Sequence, residues 1–342
     1  MAKRRGSGRS TINDVAVHAK VGAITVSRML RDPSKVSPKL RERIEESIRL
    51  LKYVPDSKAR ALASGQNDVI GVLVPSLSNN VFADILRGIH DTVHETPYQV
   101  QIANTRYSTE EEDRLISLFV GQRPAALILS GRDQSKNARA LLEDSNIPVV
   151  QIVETGADPI DMMIGFSHED AAVSVIDHLF EQGYRKIAFA GARMDPRMER
   201  RLSGFRTRLK ALDLYDSRRE ATTQKSSSVS LGRTLFRQLH EQDPQIDAVF
   251  CGNDDLALGI LFECQAQQIN VPEKIGIVGF NDLEMMSAAV PSLTSVRTSR
   301  YEIGEQAVSS ILRRIKGNFT GPKVVDVGFE LMRRNSTKLK KS

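Results

Sequence analysis

From Val69 onward, short apolar runs alternate with longer amphipathic stretches, and that alternation leaves few architectures open. The runs fall at residues 69–74, 100–103, 125–129, 149–153, 187–190, 248–250 and 275–278, with helical patterns such as 82–93, 171–182 and 255–268 between them. Strands that alternate with helices pair in parallel, and the helices cover both faces of the sheet. The runs are too many for one ordinary sheet. They predict an α/β body of two doubly wound lobes, divided near Gly165, with the chain crossing back near Arg297. A cleft between two such lobes is a natural place for a small ligand.

The residues before this pattern obey another one. Between Thr11 and Gly65 the spacing predicts short helices and no strand. Thr11 followed by Asp14 reads as a capping box that opens a first helix, ending near Ala19. Gly22 interrupts the pattern. A second helix then runs from about Ala23 to Leu30, with Val26, Met29 and Leu30 turned inward and Ala23, Ile24, Thr25, Ser27 and Arg28 exposed. Ser37-Pro38 places a cap before a proline at the first helical position, launching a third helix to about Leu51. Small residues at Ala16 and Ala19 allow close approach, so the first two helices fit a helix-turn-helix. In that motif the start of the second helix meets base edges, and Arg28 pairs with guanine through two hydrogen bonds. By spacing alone, an ordinary helical hairpin fits equally well.

Charge and cysteine usage narrow the class. The chain carries 48 Lys and Arg against 42 Asp and Glu, a formal net charge of +6. The excess gathers at Lys3, Arg4, Arg5 and Arg9 and again at Arg333, Arg334, Lys338, Lys340 and Lys341. Such ends suit a polyanion, or are simply solvated tails. Cys251 and Cys264 match neither a metal-ligand spacing nor a disulfide framework, which points to a reducing cytoplasm. No run approaches the ~18 apolar residues of a membrane helix, and no apolar signal core follows the basic start.

Enzymatic signatures are missing. There is no Gly-x-Gly-x-x-Gly after a first strand, no phosphate loop and no Gly-x-Ser-x-Gly elbow. His18, His90, His94, His168, His178 and His240 are scattered; His90 and His94 share a helix face but lack a third ligand. Neither catalysis nor a metal or other cofactor is expected.

The stretch from Ile12 to Gly65 closely resembles the headpiece and hinge of the LacI/GalR family of bacterial repressors. The matching residues are Asp14-Val15-Ala16, Thr25-Val26-Ser27-Arg28, Val36-Ser37, Arg41 with Ile44, Leu51-x-Tyr53-x-Pro55 and Ala61-Leu62-Ala63. The resemblance continues almost to the C-terminus. It implies that Ala23, Ile24 and Arg28 face the major groove, that Thr25 and Ser27 hold phosphates or base edges, and that Thr11 joins the DNA contacts. One departure matters: Gly22 stands where Ser or Thr usually begins the recognition helix, so no hydroxyl is offered to a phosphate. In the segment 55–68, Asp56 can cap a helix, Ala59 to Ala63 favour one and Gly65 ends it, yet so short a helix is marginal alone. The resemblance implies that this hinge pairs with its dimer mate in the minor groove, where Ala59 lies and Leu62 wedges a base step apart.

Four stretches in the sensor correspond to the family's effector contacts. They are "VPSLSNNVFADILRGI", "GARMDPR", "VFCGNDDLALG" and "IVGFNDLE". They nominate Ser76, Phe82, Asp195, Arg197, Phe250, Asn253 and Asn281, with Arg193 and Asp282 behind them. Phe82 and Phe250 would stack on the apolar face of a sugar skeleton; Asp195, Asn253 and Asn281 would meet hydroxyls. Arg197, with Arg193, would present a planar fork to a carboxylate. A sugar acid such as gluconate uses all of these, and the same stretches are most similar to the family's gluconate-responsive subgroup. A neutral sugar or a nucleobase remains the other reading.

The expected organisation is a basic tail (1–10), a helix-turn-helix headpiece (11–54), a hinge helix (55–67), a sensor (68–334) and a second basic tail (335–342). The sensor lobes would comprise about 68–165 with 297–326, and about 166–296. A homodimer reading a pseudo-palindromic operator follows, with helices near residues 82–90 at the dimer interface. The tail from Asn335 is too short and polar to make a tetramer. The effector would act by inducing release, or by co-repression as in some relatives. A transport-type sugar-binding protein shares the two-lobed body, but the headpiece argues against it.

Overall fold

The computed structural model describes residues 10–54 and 67–337. The hinge positions Asp56, Ala59, Ala61 and Leu62 lie outside the described residues. The chain divides into two compact units, Met1–Asn67 and Asp68–Ser342.

In the first unit, α1 (Ile12–His18) opens on a complete capping box. The Thr11 hydroxyl accepts from the Asp14 amide at 3.3 Å, and the Asp14 carboxylate accepts from the Thr11 amide at 2.7 Å. α2 (Ala23–Arg31) begins after Gly22, which supplies no side-chain cap. α3 (Pro38–Leu50) starts on its proline, where a missing amide proton would have had no helical partner anyway. Val15, Ala16, Ala19, Val26, Met29, Val36 and Ile44 form a buried core between the three helices. A polar pair reinforces it: His18 Nδ1 lies 2.9 Å from the Ser47 hydroxyl, which donates to the Arg43 carbonyl at 2.8 Å.

The second unit holds two six-stranded sheets. The first contains β1 (Val69–Val74), β2 (Gln99–Asn104), β3 (Ala126–Ser130), β4 (Val149–Ile152), β5 (Met162–Gly165) and β11 (Val324–Asp326). Its order is β11-β5-β4-β3-β1-β2, all parallel. The second contains β6 (Ile187–Ala192), β7 (Glu220–Thr223), β8 (Ala248–Cys251), β9 (Gly276–Asn281), β10 (Thr294–Thr298) and β12 (Phe329–Met332). Its order is β12-β10-β9-β8-β6-β7, parallel except where β12 runs against β10.

Around the first sheet lie α4 (Asn80–Val93), α5 (Thr109–Gly121), α6 (Lys136–Asp144) and α12 (Arg300–Ile315). The second lobe carries α7 (His168–Glu181), α8 (Pro196–Ala211), α9 (Val229–Gln242), α10 (Asp254–Ala266) and α11 (Glu284–Ala288). The chain passes between lobes after Gly165, again after Thr298, and finally between Asp326 and Phe329. Among the described residues, no helix is long and apolar enough to cross a membrane.

Two glycines fix the packing of α12 on α4. A Cβ at Gly88 would lie 2.2 Å from the Tyr301 carbonyl oxygen, and one at Gly304 would lie 2.2 Å from the Ile85 carbonyl oxygen. No side chain fits such gaps, so the backbones touch only because both positions are glycine.

The C-terminal turn is fastened beneath the second sheet. The Ser336 hydroxyl donates to the Ile277 carbonyl at 2.6 Å and accepts from the Thr294 amide at 2.9 Å. His178 Nε2 lies 2.8 Å from the Thr337 hydroxyl. Burial, helped by the charge of Arg333, drives this imidazole from its ordinary 6.5 down to about 4. The folded protein therefore keeps His178 neutral where an unfolded chain would protonate it. The contribution to stability is complete above pH 6.5 and is lost as pH falls through about 4. His178→Gln is expected to flatten the fall in stability over that interval by up to roughly 2–3 kcal/mol. Equal slopes for both proteins in pH-dependent denaturation would refute the assignment.

Candidate nucleic-acid interface and ligand cleft

The exposed side of α2 is the candidate nucleic-acid face. Ile24 is 76% exposed, and Ser27 and Arg28 are exposed beside it. Ala23 and Thr25 depart from expectation: both are half-buried, and Ala23 packs against the headpiece core. The reason is helical geometry, since Ala23 shares a face with the buried Val26 one turn on. Thr11 is exposed, yet its hydroxyl donates to Asp14 at 2.8 Å and its amide is committed to the same carboxylate. No acidic residue occupies the first turn of α2, so its amide end is open to a phosphate.

In the second unit, a cavity of about 350 Å³ opens between the carboxyl ends of the two sheets. Ser76, Phe82, Arg193, Asp195, Arg197, Asn253 and Asn281 all line it. Two nominated residues do not. Phe250 is fully buried in the core, edge-on to Phe189 with centroids 5.4 Å apart, because its side chain leaves β8 on the inner face. Asp282 lies outside the lining and is held by Arg297 at 2.8 Å and Arg334 at 2.7 Å, an ion-pair cluster that fixes the end of β9.

Several of the lining groups are already engaged. Asp195 caps α8, accepting from the amides of Arg197 at 3.0 Å and Met198 at 3.2 Å. Burial alone would raise its carboxyl, but Arg197, Arg201 and those two amides hold it below the usual range. Arg197 lies 3.6 Å from the Asp195 carboxylate and donates to the Ser130 hydroxyl at 3.2 Å. Arg193 stacks on Tyr107, its guanidinium carbon 3.9 Å from the ring centroid. Asn253 caps α10 through its side-chain oxygen, which also accepts from Ser227 at 2.9 Å, so its amide nitrogen is the group left for a ligand.

Sequence reasoning misses the most buried cation of the cleft. Arg201 is 8% exposed, donates through Nε to His168 Nδ1 at 3.2 Å and through Nη1 to the Gly252 carbonyl, and stacks 3.7 Å from the Phe280 centroid. None of these partners is a carboxylate. Burial lowers its pKa to about 10. A signal exists in the sequence: Arg201 follows Arg197 by one helical turn and shares its face. Tyr107, His168 and Arg300 also line the cavity. Arg300, which starts α12, reaches Asp84 at 3.0 Å and the Asn281 carbonyl, tying the lobes at the crossing. Among the described residues, no group of His, Cys, Asp or Glu is placed to hold a metal ion.

Comparison with known proteins places both units. Residues 11–56 match the family described as bacterial regulatory proteins, lacI family, and residues 176–337 match a periplasmic binding protein-like domain. The HTH-type transcriptional regulator GntR of Pseudomonas aeruginosa is 40% identical over 333 residues, covering 97% of each chain. A crystal structure of a LacI family transcriptional regulator from Silicibacter pomeroyi superposes with a TM-score of 0.88 at 31% identity, over 97% of this chain and 100% of that one. The Lac repressor dimer bound to operator and an anti-inducer superposes with a TM-score of 0.85 at 26% identity, over 96% and 99% of the two chains.

Proposed function

The chain belongs to the LacI family of bacterial regulatory proteins, and from that membership we propose that it represses sugar-acid catabolic genes and is released from its operator by a gluconate-type effector. It works as a homodimer in the cytoplasm, with paired headpieces reading two operator half-sites. The α2 face supplies Ile24, Ser27 and Arg28 to the major groove, and Ala59 and Leu62 belong to the hinge that meets the minor groove. Ile24 is apolar and exposed, which suits thymine methyl groups.

The observation that carries the effector class is Arg201: a buried guanidinium whose partners are an imidazole, a carbonyl and a ring. Its direct partners are uncharged, and the carboxylates of Asp195, Glu154 and Asp254 act on it only from farther off, so a ligand carboxylate can still make the direct ion pair. Asn253 Nδ2 and Asn281 line the cavity as groups that can meet hydroxyls, Ser76 lines it with its hydroxyl already bonded to Ser78 and Asn79, and Phe82 offers one apolar wall.

The test is direct. An operator recovered by selection from random DNA is titrated with protein, then with gluconate. Release at micromolar gluconate, with no release by glucitol, is the expected result. Tighter operator binding would reverse the sign to co-repression, and no response to any hexonate or hexuronate would overturn the sugar-acid reading. On the same operator, Arg28→Ala is expected to cost about 1–3 kcal/mol of affinity and to relax preference at one base position. Undiminished discrimination across operator variants, measured by fluorescence anisotropy, would remove Arg28 from the readout.

A further inference from the structure

Arg201 poses a chemical question: why does a buried guanidinium, with Asp195, Glu154 and Asp254 near enough to act on it, touch only uncharged partners directly? The answer lies in what accepts its Nε proton. His168 opens α7, immediately after the chain first crosses between lobes, and is 3% exposed. Its ring lies 4.4 Å from Phe166 and 5.8 Å from Phe280, the ring on which the Arg201 guanidinium also stacks. Its Nδ1 accepts from Arg201 Nε at 3.2 Å, so the remaining proton sits on Nε2.

We propose that His168 is a positioning residue that makes the cleft selective for acids, by gripping Arg201 with an uncharged acceptor. A guanidinium has five N–H donors in a rigid fork. Nε is taken by His168 and one Nη1 proton by Gly252, which leaves the outer edge formed by Nη1 and Nη2 to receive a carboxylate end-on. Had an aspartate or glutamate stood in place of His168, the orientation would be similar but the guanidinium would carry a direct ion pair on top of the more distant charges of Asp195, Glu154 and Asp254. Burial, followed by the charges of Arg201, Arg197 and Arg200, keeps the imidazole neutral, and the Val153 backbone that acts the other way does not offset them. His168 thus supplies geometry and withholds charge. The proposal rests on the sugar-acid reading given above.

The test compares gluconate with its uncharged analogue glucitol by calorimetry, on the full-length dimer. His168→Phe keeps the ring packing and loses the acceptor. It is expected to weaken gluconate by about tenfold or more and to leave glucitol within about threefold of wild type. His168→Asn, which can present an oxygen near the Nδ1 position, is expected to restore most of the gluconate affinity. Equal losses for both ligands would mean that the ring is packing alone, and no loss for gluconate would also overturn the proposal. A wild-type protein that does not favour gluconate over glucitol would instead overturn the sugar-acid reading itself. A second measurement needs no variant: nitrogen-15 chemical shifts of the wild-type imidazole should show an unprotonated Nδ1 and a protonated Nε2 at neutral pH. A protonated Nδ1 would refute the proposal whatever the variants do.

Discussion

Replacing Arg201 with methionine is expected to raise the dissociation constant for gluconate by about a hundredfold or more while operator binding persists, giving a repressor that no longer lets go. Methionine retains length and apolar contact with Phe280, so the loss isolates the charge. Truncating one side of a buried charge-assisted contact typically costs about 2–5 kcal/mol, a factor of about thirty to several thousand in affinity. The change also leaves His168 Nδ1 and the Gly252 carbonyl without their donor and takes a cation away from Asp195, so thermal denaturation is followed alongside binding to separate a folding loss from a ligand loss. Calorimetry reads the ligand affinity and gel-shift titration reads the operator. Release of the methionine variant at the wild-type gluconate concentration would show that the effector carboxylate lies elsewhere.

The second large effect is structural. Gly304→Val is expected to destabilise the sensor by about 3 kcal/mol or more, because its side chain would have to enter the space held by the Ile85 carbonyl. Neither helix can yield cheaply, since α12 also buries Ile303, Ala307, Val308 and Ile311. Gly121 offers the control. It lies in α5, where a Cβ would meet nothing within 4 Å, so Gly121→Ala should be neutral or slightly stabilising. Comparable denaturation midpoints for the two variants would contradict the close crossing.

Much of this architecture can be read in advance, and the failures have identifiable causes. Strands β1, β2, β3, β4, β6, β8 and β9 are visible as apolar runs. β7 and β10 are hidden by composition: they read Glu-Ala-Thr-Thr and Thr-Ser-Val-Arg-Thr. Thr294 and Ser295 nevertheless sit in the sheet fully buried, because Thr337 and Asp254 satisfy their hydroxyls at 2.7 Å each. Only distant partners make such a strand possible, and no local window contains them. β11 has only three residues, and β12, no shorter than β4 or β8, breaks its apolar run with Glu330.

The cleft is legible where loops follow strands and obscure where a side chain has to choose a face. Asp195 and Asn253, expected to meet a ligand, serve first as helix caps, the role their residue types favour beside a first turn. Phe250 stands at a strand end, which suggests a place in the cleft, but strand alternation turns it into the core. Arg201 escapes notice because it lies beyond the loop, inside the helix that follows.

The three passages between lobes carry a consequence for biosynthesis. Each sheet receives its last strand from the closing stretch of the chain, β11 for one and β12 for the other, so neither lobe is a contiguous fragment that could be expressed by itself. A ribosome making this polypeptide emits the headpiece early, whereas both halves of the sensor must wait, unfinished, until residues 324–332 have emerged. A stop codon shortly before Val324 would strip an edge from both sheets at once and remove the buried Ser336 and Thr337 anchors as well. The truncated product would keep its DNA-reading helices attached to a body unable to govern them.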